Sequence, residues 1–558
     1  MGHLMLFVAV IAACLLWSAT FVAAAARTER TWLRRLLTVV GVVVPPLALV
    51  PWVAVTGLLA FGTKLATNWF GPTLFVFLSA VVGGLWIRAA GLARSAFGGP
   101  VAASWPVIGL AAMFLLAKAV AFGTLLFIDN AVAAEGRAMR IEAAQLMQAS
   151  LPPAPAPDDD AAPLYLRAFE ALAADSAVRA DDSPLSQPAT TDIASQQITE
   201  LLKRQAATLE LVRRAADRPG CRFPRDWSRP SVSMVLPEIQ DMRQAARLLA
   251  LAARREAADG DGAAALRDVV RIHRVGMHAA GEPILVCGLV GQASDSLALQ
   301  TLADVLPKLK GQDLSLLDGS AVRDFVGSPL SYRRHFLGEE AFGLATLGDL
   351  ADAGHGLSTL SLLNALNGPP PRAWLLAEPI SLLYRCFLIP ADTAGYRVHM
   401  DRYQQFIAGN VTGRPYSEVT KQLGEMADES TLRRAGIVTS MLAPALAHVL
   451  TSEIKGRALH RAAEVLVAAT RARLAGGGIP ASVEALVPAS LPAVPRDPFT
   501  DGKPLLAKHA NGSFVVWSVG PDGKDNGGPP PAGTDTPERN DDIGLQMVAA
   551  GIASAPSP

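Results

Sequence analysis

The spacing of hydrophobic and polar positions changes rhythm along the chain, and each rhythm predicts a different kind of element. Residues 1–128 contain four long apolar runs, Leu4–Ala26, Leu36–Phe61, Thr73–Ile87 and Trp105–Ile128. The first carries no charge, the last only Lys118, and Pro45, Pro46 and Pro51 interrupt the second. A helix needs about 20 residues to cross the hydrocarbon of a bilayer, so the third run is long enough only if Phe70–Pro72 extend it. Backbone groups in lipid must bond within their own segment, so the pattern predicts a four-helix transmembrane anchor. Arg27, Arg30, Arg34 and Arg35 crowd the first connection, Lys64 stands alone in the second, and Arg88 and Arg94 occupy the third. Positive loops stay cytoplasmic, so the N-terminus and everything after Ile128 are expected outside, in a multi-pass inner (plasma) membrane protein. Met1–His3 lacks the basic start of a cleaved signal. Ile11–Cys14 has the look of a lipoprotein box, but apolar sequence continues well past the cysteine.

Beyond residue 128 the rhythm becomes that of helices in a globular domain. A first helical run leads into a stretch rich in proline and aspartate that ends at Pro163, read as an extended spacer. From Leu164 apolar residues recur at three-to-four spacing, as with Tyr165, Phe169 and Leu172. The clearest pair of helices is Arg243–Ala258 and Ala263–Val275, with Leu266, Val269, Val270 and His273 on one side of the second. Asp259-Gly-Asp-Gly262 between them predicts an αα-hairpin whose turn looks like that of a tetratricopeptide unit, without a repeat at fixed period elsewhere. Cys221-Arg-Phe-Pro-Arg-Asp-Trp-Ser-Arg-Pro230 stands apart as a loop with a packed aromatic core or a recognition surface.

The last hundred residues alternate again. A helix over about Ser452–Leu474 has Leu459, Ala462, Ala463, Leu466, Val467 and Thr470 at helical spacing. Pro504–Lys508 and Ser513–Val519 read as strands joined by a turn at His509–Gly512. Gly520–Gly528 must be a loop, because its four glycines permit conformations closed to other residues.

Composition then narrows the function. Among 558 residues, 50 Lys plus Arg balance 50 Asp plus Glu, which argues against a nucleic-acid partner. The 51% hydrophobic share and mean hydropathy of +0.29 come from the N-terminal quarter. Cys14, Cys221, Cys287 and Cys386 include no C-x-x-C pair, which argues against a zinc ribbon or thioredoxin-type site, and Cys221, Cys287 and Cys386 read as buried thiols rather than as one disulfide with a leftover thiol. Lys118 reads as a snorkelling or packing residue rather than as part of a transport path. His273, His278 and Glu282 hint at metal ligation, but their spacing spreads them around a helix that Gly281-Glu-Pro283 ends, which favours packed or solvated histidines. His335 with Glu339, and His460 with Glu464, are neighbours on a helix face that commonly do no more than stabilise it. No His-Glu-x-x-His, Gly-x-Ser-x-Gly or phosphate-cradling glycine loop is present, so no catalytic residue, cofactor site or small-molecule substrate is inferred.

One stretch carries a resemblance to a known family. A helix, Gly476–Pro480, the turn Asp497-Pro-Phe499, a short sheet, Ser518-Val-Gly-Pro-Asp-Gly523 and Asp541-Asp-Ile543 follow one another in the order of the type II secretion major pseudopilin's periplasmic domain. The whole chain is also similar to bacterial multi-pass envelope proteins that end in this Ser-Val-Gly-Pro-Asp-Gly-Lys-Asp signature. The pseudopilin resemblance implies a calcium site, with Asp522, Asp525, Asn526, Asp541 and Asp542 as the oxygen donors a hard cation requires. The four apolar runs and some 300 intervening residues depart from the pseudopilin plan of one long apolar helix.

The expected fold class is therefore mainly α. A transmembrane anchor (1–128) and a helix with its spacer (129–163) precede an all-α helical-hairpin outer domain (164–450). A small α+β pseudopilin-like module (451–545) and a disordered tail (546–558) complete it. The expected function is a membrane-anchored extracytoplasmic scaffold or protein-interaction protein with a protein partner, which the implied ion would make calcium-stabilised. The alternatives are an accessory of a type II secretion or pilus-like system, and an envelope enzyme whose site is assembled from distant polar residues.

Overall fold

The computed structural model describes residues 130–352 and 389–548, together with scattered residues between 17 and 41. Within those spans it leaves out 176–177, 179–182, 186–192, 232–233, 235, 409–413, 429–435, 481, 511 and 530–539. The chain divides into two compact units, residues 1–141 with 346–393, and residues 142–345 with 394–558.

Among the described residues no helix is long and apolar enough to cross a membrane. The four-helix transmembrane anchor is thus corrected, and with it the multi-pass inner-membrane placement. Even the longest described helix, Ile437–Ala472 at 36 residues, is broken up by Glu453, Lys455, Arg457, Arg461, Glu464 and Arg471. The runs Thr73–Ile87 and Trp105–Ile128, with Lys118, lie outside the described residues, as do most of Leu4–Ala26 and Leu36–Phe61, Cys14 and Cys386.

Helix α1 (130–150) begins the described body. The stretch after it is extended, as expected of a spacer, but it is fastened down. Asp160 Oδ1 accepts from the main-chain N–H of Ala162 and of Arg222, both at 3.0 Å, and Asp160 bridges to Gly220. Then come α2 (Ala162–Ala174), α3 (Gln196–Arg204) and α4 (Ala206–Ala216). Tyr165, Phe169 and Leu172 of α2 are buried, as their spacing predicts.

The expected hairpin is α5 (Glu238–Asp259) and α6 (Gly262–Ala279). Gly260 ends α5 at φ 90°, a left-handed conformation that favours glycine, and Asp261 caps α6 by accepting from Ala264 N at 2.9 Å. Helix α7 (Leu285–Val305) packs against both. A Cβ added to Gly276 of α6 would stand 2.7 Å from the carbonyl oxygen of Gly291 in α7, and the converse holds, so the two backbones meet where neither has a side chain. After α8 (Ser320–Gly327), α9 (Arg333–Ala351) and α10 (Ile389–Ala408), α11 (Tyr416–Ala427) leads to α12 (Ile437–Ala472).

Helix α12 organises the second unit. It packs on α7 and α8, and it carries an antiparallel sheet of β1 (Leu506–Ala510), β2 (Ser513–Ser518) and β3 (Ile543–Val548) in the order β1-β2-β3. Phe514 and Val516 of β2 and Leu545 and Met547 of β3 are buried in the alternation a one-sided sheet requires. The sequence reading contained β1 and β2 but not β3, which runs past residue 545, where the module was expected to end. Residues 549–558 lie outside the described residues.

Candidate functional site

The Asp-Pro-Phe turn is built around one carboxylate. Asp497 is buried, and its Oδ1 accepts from Ser518 Oγ at 2.6 Å and Phe499 N at 2.8 Å, while Oδ2 accepts from Val519 N at 3.0 Å. Ser518 Oγ in turn accepts from Gly520 N at 3.2 Å. The two short motifs, 21 residues apart, are thus clipped together. This fixes the entry to the 520–528 loop, whose Gly520, Gly523, Gly527 and Gly528 all have positive φ.

Beyond the clip lie the expected calcium donors. Asp522 Oδ1 accepts from Lys524 N at 3.0 Å. Asp525 Oδ1 accepts from Trp517 Nε1 at 3.1 Å and Gly527 N at 2.9 Å. Asp542 Oδ2 accepts from Asn526 N at 3.0 Å and Gly528 N at 2.8 Å, which ties the acidic end of the module to the loop. Burial raises the Asp542 carboxyl above its ordinary range, and the charges of Asp525 and Asp522 act in the same sense against those two N–H donors. Its Oδ1 is buried without a hydrogen-bond partner, an atom placed as a cation ligand would be. Asp541 adjoins it in sequence. The donor chemistry suits calcium. The donors are not drawn together, however: among the described residues no three His, Cys, Asp or Glu side chains converge closely enough to hold a metal ion.

Beside the Asp-Pro-Phe turn a cleft of about 270 Å³ opens between the start of α11, the middle of α12 and the turn itself. Arg414, Arg457, Arg461 and Arg496 line it together with Glu453, Asp497 and Asp501. The carboxylates are already engaged. Glu453 accepts from Arg457 Nη2 at 2.6 Å and from Tyr332 N at 3.3 Å, Asp497 holds the clip, and Asp501 accepts from Ser417 Oγ at 2.8 Å. Tyr416, Val419, Leu450 and Ile454 give one wall an apolar character. The Tyr416 and Phe499 rings pack in a T shape with centroids 4.9 Å apart, which fixes α11 to the turn.

The chain matches no protein-family model, no curated protein and no solved structure. Function must therefore be argued from these residues.

The histidines and acids of the helical domain lock helices together. His273 Nδ1 of α6 donates to Asp295 Oδ1 of α7 at 2.7 Å, and His460 Nε2 of α12 meets Asp295 Oδ2 at 2.7 Å. His460 Nδ1 donates to Val326 O of α8 at 2.9 Å. A carbonyl can only accept, so His460 Nδ1 is the donor to Val326, and the Asp295 carboxyl holds one imidazole on each of its oxygens. Burial alone would raise the Asp295 carboxyl, but the hydrogen bonds from His273 and His460 outweigh it and bring it below the ordinary range.

Other buried charges join other seams. Arg213 of α4 donates to Asp268 of α6 at 2.6 Å and to Glu256 of α5 at 2.5 Å. Arg225, over the Trp227 ring at 5.4 Å, pairs with Glu238 and with Glu282. Phe223 and Trp227 are buried, so the Cys221–Pro230 loop takes the packed-aromatic form.

His273, His278 and Glu282 do not share a site. His278 Nε2 donates to Arg218 O at 3.1 Å and its Nδ1 accepts from Tyr165 Oη at 3.0 Å; burial lowers its pKa to about 4. His335 Nε2 donates to Ala280 O at 3.0 Å, and burial lowers its pKa likewise to about 4. Cys221 and Cys287 are free thiols whose pKa burial pushes up, which removes nucleophilic character. The sequence reading missed the His273–Asp295–His460 bridge and the arginine cleft.

Proposed function

We propose that the chain is a non-enzymatic binding protein, a helical frame that presents a small α+β module to a protein partner. One observation carries this reading: the His273–Asp295–His460 bridge and the Arg213 and Arg225 ion pairs join helices, and none of these lines the cleft. Asp268, His273, Asp295 and His460 are spent in holding α4, α6, α7, α8 and α12 together. The accessible concave surface instead offers arginines and an apolar wall, which recognise rather than transform. The order of long helix, Asp-Pro-Phe turn, sheet and acidic loop supports a pseudopilin-like platform, so a component of a secretion or pilus-like machine is the second reading of the partner.

Cross-linking of the full chain in an extract of cells that express it, read by mass spectrometry, tests this proposal. Partner cross-links are expected on Lys421, Lys455, Lys503 and Lys524, and not on Lys203, Lys308 or Lys310. Links confined to the latter group, or a substrate turnover abolished by Asp295→Asn in folded protein, would overturn it.

Calcium is proposed as a stabiliser of the module. Asp542 would supply the first oxygen, and Asp522, Asp525, Asn526 and Asp541 would complete the set after local rearrangement of the glycine-rich loop. Melting the full chain in calcium against chelator is expected to show a rise of several degrees that Asp542→Asn removes. Identical melting curves in the two buffers would rule the ion out.

A further inference from the structure

The arginines of the cleft are arranged in a way that internal packing does not explain. Arg457 and Arg461 are four residues apart on α12, so they project from one face of the helix as like charges. Arg457 gives one nitrogen to Glu453, but its Nε is buried without a hydrogen-bond partner. Arg461 donates Nη1 to the main-chain oxygen of Arg496, a neutral acceptor, while the charges of Asp497 and Glu464 offset part of its own. Burial, with the neighbouring Arg457 charge, holds the Arg461 guanidinium below its ordinary pKa. Both groups are poised to gain from an incoming oxyanion. Arg496 stands exposed at the mouth.

Charge and volume then select the ligand. Four arginines face three carboxylates, so the lining carries a surplus of one positive charge. That balance suits a monoanion better than a phosphate dianion. A guanidinium fork binds the two oxygens of a carboxylate in its own plane. A volume of about 270 Å³ accepts one small acid or one terminal residue, and the apolar wall of Tyr416, Val419, Leu450 and Ile454 can cover a hydrocarbon or aromatic body.

We propose that this cleft is a carboxylate-binding site, in which Arg457 and Arg461 hold a monoanionic carboxylate and the apolar wall receives the group that bears it. The inference rests on the binding-protein reading only in taking the cleft as recognising rather than catalytic. It names one chemistry with two sources, the free C-terminus of a peptide or a small carboxylic acid.

Calorimetric titration of the full chain tests it with four probes: acetyl-Ala-Ala-Phe, its C-terminal amide, 3-phenylpropionate and inorganic phosphate. At least one carboxylate is expected to bind at least tenfold more tightly than both the amide and phosphate. Arg461→Gln should weaken that binding at least tenfold, and Arg461→Lys, which keeps the charge but not the fork, by less. Binding of the peptide acid alone identifies a chain terminus as the source, and binding of 3-phenylpropionate alone identifies a small acid; either supports the site. Arg333→Gln, at an exposed position of α9, controls for general charge, and an unchanged melting temperature controls for folding. Equal affinity for acid and amide, tighter phosphate binding, or indifference to Arg461→Gln in folded protein overturns the proposal. Such a failure leaves the pattern of partner cross-links untouched, so it is distinguishable from failure of the binding-protein reading.

Discussion

Asp497→Ala is expected to cost roughly 4 kcal/mol of stability, because it strands three donors inside the C-terminal module. Each buried donor left without an acceptor costs about 1–3 kcal/mol, and a cavity adds to that. Asp497→Asn should be nearly as damaging. Its oxygen can still serve Phe499 N and Ser518 Oγ, but its amide nitrogen must then face Val519 N, donor against donor. Ser518→Ala removes one donor to Asp497 and the acceptor of Gly520 N, and should cost about 2 kcal/mol. Denaturant unfolding gives the ranking, and hydrogen exchange over residues 513–519 gives the location. If Asp497→Ala proved milder than Ser518→Ala, the carboxylate would not be the centre of the clip. The same substitution would loosen the wall of the arginine cleft, so it should also reduce binding there without touching an arginine.

The sequence made some of this legible and hid the rest for physical reasons. The α5–α6 hairpin could be read because Asp259-Gly-Asp-Gly262 combines the two local devices that end one helix and start the next, a left-handed glycine and an aspartate cap. The module was readable as an order of short motifs, since Asp-Pro and Ser-Val-Gly-Pro-Asp-Gly punctuate the backbone strongly. Strand β3 was not. Ile543-Gly-Leu-Gln-Met-Val548 is short, contains a glycine, and gains its place only by pairing with β2. Arg457 and Arg461 look like any solvated helix face until Arg496 and the Asp-Pro-Phe turn fold over them. The apolar N-terminal runs carried the reading of a membrane anchor through hydropathy alone. Hydropathy reports how apolar a segment is but not what covers it, and among the described residues no helix is long and apolar enough to cross a membrane.

The least visible feature yields the second large effect. Asp295 meets His273 from 22 residues away and His460 from 165 away, on three different helices, so no local pattern could announce the bridge. Asp295→Asn keeps the shape but removes the carboxylate that His273 and His460 share, and breaking a buried pair costs roughly 3–5 kcal/mol. The penalty should depend on pH in a defined sense. The folded carboxyl titrates below its unfolded value of 3.8, so its contribution is complete above that pH and is lost as pH falls through the folded pKa. The difference in stability between wild type and Asp295→Asn should therefore be largest at neutral pH and should shrink below pH about 4. His460→Gln should be destabilising as well, and the double variant should cost clearly less than the sum of the two, since both remove the same pair. Urea unfolding at neutral and acid pH measures all three. Additive penalties, or an Asp295→Asn deficit that persists undiminished in acid, would show that α6, α7 and α12 are held by their apolar contacts and that the bridge is incidental.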